Sequence, residues 1–128
     1  MSGLSDLSIF AQLSDIALRH QGIPAYPKED AATSLWMTGI ADQSDADVMY
    51  LLRDMGEWFS LCLKFRKIYP FPQHFDANLI RQHVMKIQAV QHKAPDPGWV
   101  EAHLSCVTGL LNFYVEVADV MRPDRSLN

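Results

Sequence analysis

The residues of this 128-residue chain that could do chemistry are few: five histidines, fifteen carboxylates and two cysteines. The histidines are His20, His74, His83, His92 and His103, and no two stand three or four residues apart. No helix would therefore present a paired imidazole face to a metal, and neither Glu-x-x-His nor His-Glu-x-x-His occurs. His83 and His103 fall at the edges of apolar helical faces, where an imidazole is expected as a hydrogen-bonded border residue. Two acidic pairs, Asp54 with Glu57 and Glu116 with Asp119, have the spacing that puts two carboxylates on one helix face. Metal-dependent all-α nucleotide hydrolases hold magnesium with pairs of this kind. Here each pair falls on the polar side of its helix without a lysine-rich phosphate cradle, as solvated faces commonly do. Cys62 and Cys106 have no CxxC partner, and both lie in apolar stripes as small hydrophobes. Gly-x-Ser-x-Gly and glycine-rich phosphate loops are missing. The expectation is no catalytic residue, no metal site and no cofactor.

The elements that would carry these residues read as helices. Apolar residues at three- and four-residue steps predict helices centred on 4–19, 44–69, 77–92 and 97–121. Gly22 and Pro24 stop the first, while Ser44 with Asp47 resembles a capping box for the second. Asp76 is placed to cap the third, and Asp96 with Pro97 to start the fourth. Residues 23–43 contain Pro24, Pro27 and Gly39 and read mostly as loop, with a helical turn favoured over Ser34–Ile40. Arg122–Asn128 reads as a polar tail. The expected fold is thus a single all-α domain over 1–128, a four-helix bundle with an irregular segment between its first two helices.

Two of these helices carry more apolar surface than one core needs. The 44–69 helix, about 25 residues and about 37 Å long, has a main stripe of Val48, Leu51, Leu52, Met55, Phe59 and Cys62. Nearly opposite lie Tyr50, Leu61 and Ile68, with Phe65 between the two faces. The 97–121 helix is apolar over most of its circumference, leaving a strip of Glu101, Ser105, Asn112 and Glu116. A helix apolar on two sides is enclosed on two sides. The expected arrangement is a homodimer through Tyr50, Leu61, Phe65 and Ile68. Phe71 and Phe75 of the Tyr69-Pro-Phe-Pro-Gln-His-Phe75 segment are either part of that interface or a plug for the bundle end. Trp36 and Met37 are either a lid over the core or a further partner contact.

Charge divides the chain into blocks. The balance is −6 over residues 1–57, +5 over 58–95 and −3 over 96–128, for a net charge of −4. The basic middle, Lys64 to Lys93 with interleaved aromatics, is the feature that would suit nucleic acid, but a net acidic chain argues against it. There is no continuous apolar run of the length that crosses a bilayer and no basic region at the start. The expectation is a soluble cytoplasmic protein without a membrane partner. The function expected is non-enzymatic: a small regulator or inhibitor that sequesters another protein, such as an anti-activator of a transcription factor, an antitoxin or immunity protein, or a chaperone. A metal-dependent hydrolase using the acidic pairs and a nucleic-acid binder using the 64–93 region are the alternatives.

Overall fold

A computed structural model describes residues 2–40 and 43–122, with side chains from Leu7 to Ile40 and from Asp47 to Arg122. It is all-α: α1 (Ser2–Arg19), α2 (Ala31–Ile40), α3 (Gln43–Phe65), α4 (Ala77–Val90), a 3₁₀ turn (Gln91–Lys93) and α5 (Pro97–Met121). The side chains of Leu4 and Ser44, and the tail beyond Arg122, lie outside the described residues. Both predicted aspartate caps form. Asp76 accepts from the backbone N–H groups of Asn78 and Leu79, and Asp96 accepts from that of Trp99, with Pro97 at the first helical position.

Helix α5 is the centre of the bundle, and α1, α3 and α4 all pack on it. Its length and composition would also suit a membrane span, but here Val100, Leu104, Val107, Leu111 and Val117 are buried by the neighbouring elements. The main core joins Leu13 and Ile16 of α1, Val48, Met55 and Cys62 of α3, Ile80 of α4 and the C-terminal half of α5. A smaller core at the other end joins Ile87, Ala94, Val100 and Leu104.

Three local expectations change. First, the segment 23–43 is not mostly loop, because residues 31–40 form a full helix. Asp30 starts it: its carboxylate accepts from the buried Thr33 hydroxyl, and its carbonyl accepts from Ser34 N–H at 2.8 Å. Trp36, Met37 and Ile40 then lie on the smaller core, so Trp36 and Met37 are the lid. Pattern reading places only a helical turn over Ser34–Ile40, because Thr33, Ser34, Thr38 and Gly39 dilute the apolar pattern of the full helix.

Second, α3 ends at Phe65 rather than Tyr69. Arg66 adopts a left-handed backbone, φ 50°, and Lys67 N–H bonds back to the Cys62 carbonyl at 3.2 Å. The Trp58 indole N–H then ties the Tyr69 carbonyl against the helix at 2.9 Å. The chain has turned before Pro70 is reached, so Ile68 does not continue the outer stripe of α3. It is half-buried against the main core.

Third, His83 and His103 are not border residues. They are 3% and 1% exposed and stand at the centre of their helices' buried faces.

Candidate functional site

The outer face of α5 is covered from within the chain. Residues 21–30, held extended by Pro24 and Pro27, run antiparallel along it as a strap. His20 bonds Glu116 and tilts its ring on Phe113. Ile23 lies over Gly109, its Cγ2 only 3.1 Å from where a Cβ would stand, so a side chain there would push Ile23 outward. Tyr26 reaches His103, and the Lys28 carbonyl accepts from the Trp99 indole.

From the strap a polar chain runs inward, from Tyr26, itself 45% exposed, to the buried His103 and His83. Tyr26 Oη is 2.8 Å from His103 Nδ1, and His103 Nε2 is 3.2 Å from His83 Nε2. Trp99 stacks on the His103 ring, with centroids 5.7 Å apart and planes at 14°, and Tyr26 meets it edge-on. Burial, aided by His83, holds the His103 imidazolium pKa down at about 4, so the ring is neutral at ordinary pH. A neutral ring has one N–H, which makes the chain directional. Either Tyr26 donates to Nδ1 and Nε2–H donates to His83, or both bonds run the other way. Sequence reading missed this group. The signal that would have found it is phase: His83 falls between Ile80 and Ile87, and His103 between Val100 and Val107, at core spacing.

Beside the strap, α3 keeps an outer stripe that no element among the described residues covers, apart from the His74 ring tilted on Tyr50 at 6.1 Å. Tyr50, Leu61 and Phe65 are 54%, 42% and 55% exposed. Other exposed apolar residues are scattered, Leu7 and Leu18 at opposite ends of α1, Leu35 on α2 and Met85 on α4, an ordinary surface pattern. Beside this stripe an open groove of about 790 Å³ runs between α3 and α5. Its floor is Leu52, Gly56, Cys106, Leu110 and Tyr114, its α3 rim carries Arg53, Glu57 and Lys64, and Tyr26 of the strap forms part of its wall. Gly56 keeps the floor low, since a Cβ there would stand 2.9 Å from the Tyr114 hydroxyl. Burial pushes the Tyr114 phenol up to about 12 and raises the Cys106 thiol as well, so both are neutral floor groups.

The remaining candidates are occupied in other ways. Phe71 and Phe75 are half-buried, Phe71 edge-on to Trp58 at 5.2 Å and Phe75 to Tyr114 at 6.4 Å, so they plug the bundle end. Three of the four carboxylates in the acidic pairs have other partners. Asp54 bonds His74 at 2.8 Å, Glu116 bonds Arg19 and His20, and Asp119 bonds Arg122 at 2.8 Å. Arg19, then His20, holds the Glu116 carboxyl below the usual carboxylate range. Among the described residues no three His, Cys, Asp or Glu side chains converge as metal ligands would. Cys62 is fully buried in the main core. In the basic middle, Lys64, Arg66 and Lys67 lie over the rings of Phe65, Phe10 and Tyr69.

Comparison with known proteins finds no matching family model, no matching curated protein and no matching solved structure.

Proposed function

We propose that the protein is a non-enzymatic helical interaction module that acts by burying a surface of another protein against α3, and that two copies pair through the same helix. The observation that supports this reading is the uncovered stripe of Tyr50, Leu61 and Phe65 in a fold that covers its other surplus apolar face. Burying a large apolar side chain is worth roughly 1.5–3 kcal/mol, so three together on one helix favour association. A twofold pairing lets one stripe satisfy itself. Sequestering regulators, antitoxins and chaperones all work by occupying a partner's surface in this way. The test is sedimentation equilibrium and partner capture from the native host, with the wild type beside Leu61→Asp. The reading expects a dimer that Leu61→Asp converts to folded monomer, with the same change releasing the captured protein. A wild type that stays monomeric at high micromolar concentration would refute the pairing. A capture pattern unchanged by Leu61→Asp would refute α3 as the binding surface.

A further inference from the structure

The groove beside the stripe has a charge pattern that specifies what it takes. Arg53, Glu57 and Lys64 stand four and seven residues apart on α3, within about 40° of one another around the helix. All three are exposed, all three line the groove, and none has an ion-pair partner among the described residues. Arg53 and Glu57 do not pair with each other, and the Lys64 ammonium lies 5.3 Å over the Phe65 ring. The α5 part of the floor, Cys106, Leu110 and Tyr114, and Tyr26 of the wall carry no charge. The groove is therefore an apolar trough with an unneutralised plus–minus–plus rim along one edge.

Resting on the reading of α3 as the contact surface, we infer that the groove binds an amphipathic helix of a partner protein whose edge carries acid, base and acid at the complementary spacing. Met49 to Lys64 spans about 22 Å, or about four helical turns, the scale on which a helix lies in a groove with anchors at three- and four-residue steps. A parallel partner needs its base four residues after the first acid and its second acid seven later; an antiparallel one needs the two spacings reversed. This sequence has no acid–base–acid set at either spacing, so a second copy paired through the α3 stripe does not supply the complementary edge, and the occupant is a different protein. Charge complementarity at a rim selects among partners more than it adds affinity, which suits a module that must choose one helix among many.

The probes are three labelled peptides of about 16 residues with one leucine face: one with the acid–base–acid edge, one with those charges reversed, and one with glutamine at the same positions. Each is titrated into the full-length protein at low and high salt by fluorescence anisotropy. The acid–base–acid peptide is expected to bind about tenfold or more tightly than the reversed peptide, with the difference shrinking at high salt. A variant combining R53E, E57K and K64E, all at exposed positions, is expected to invert the preference with an unchanged circular dichroism spectrum. Equal binding of all three peptides would overturn the inference while leaving an apolar contact surface on α3. Binding by none would overturn it too, and the Leu61→Asp sedimentation result would then say independently whether α3 is a contact surface. A preference that the triple variant does not invert would place the peptide elsewhere and also overturn it.

Discussion

The outer faces of α5 and α3 start from the same problem and end differently. Both helices carry apolar residues well beyond one core-facing stripe. On α5 the surplus is met by the strap: Ile23 on Gly109, Tyr26 on His103 and the Lys28 carbonyl on Trp99. On α3 no such strap is present among the described residues, and Tyr50, Leu61 and Phe65 are exposed. Surplus apolar surface therefore has two meanings in one small fold. Where polar groups are buried with it and bonded, it belongs to the interior. Where it is bordered by exposed charge, as at Arg53, Glu57 and Lys64, it is the surface we propose for a partner.

Substitutions on the two faces should separate cleanly. The largest effect is expected at the polar chain. His103→Ala removes a fully buried ring and its hydrogen bonds to Tyr26 and His83, so it should cost about 2–5 kcal/mol in denaturant unfolding. A loss below about 0.5 kcal/mol would mean that the strap does not depend on this contact.

The same group gives a pH dependence of known sign. An unfolded imidazole titrates near 6.5, whereas folded His103 takes its proton only near 4. Between those values the unfolded chain binds a proton that the folded chain refuses, so the contribution is fully present above about 6.5 and declines as pH falls toward 4. The total loss is about 3 kcal/mol. Urea midpoints across that range should show it, and His103→Gln should flatten the slope.

Next in size is the strap's glycine. Gly109→Leu must displace Ile23, at an expected cost of about 1–3 kcal/mol, with Tyr26 becoming more accessible as the strap lifts. A neutral outcome would show that the strap slides rather than packs.

The smallest effect on folding is expected at α3. Leu61→Asp and Phe65→Asp should each leave unfolding of the monomer within about 0.5 kcal/mol while changing the mass in solution. If they unfold the protein instead, the stripe is interior after all.

The helices themselves were readable from periodicity and capping, because Asp76 and Asp96–Pro97 are strong local signals that tertiary packing did not override. What escaped was set by contacts distant in sequence. Helix α2 is amphipathic only in relation to Ile87 and Leu104, which lie far along the chain. The end of α3 depends on Arg66 taking a left-handed backbone, for which no glycine gives warning. The Tyr26–His103–His83 chain joins three elements, and nothing in the spacing of histidines along one helix reports a pair made between two. Of the residues expected at an interface, Tyr50, Leu61 and Phe65 are exposed, whereas Ile68, Phe71 and Phe75 lie against the core once the chain turns at Arg66.

The contrast between the two faces is tested most directly by hydroxyl-radical footprinting of the wild type over a range of concentrations. If α3 is a contact surface and the α5 strap is internal packing, labelling of Tyr50, Leu61 and Phe65 should fall as concentration rises, while labelling of Trp99 stays constant. Constant labelling of the α3 residues, or concentration-dependent protection at Trp99, would contradict the account.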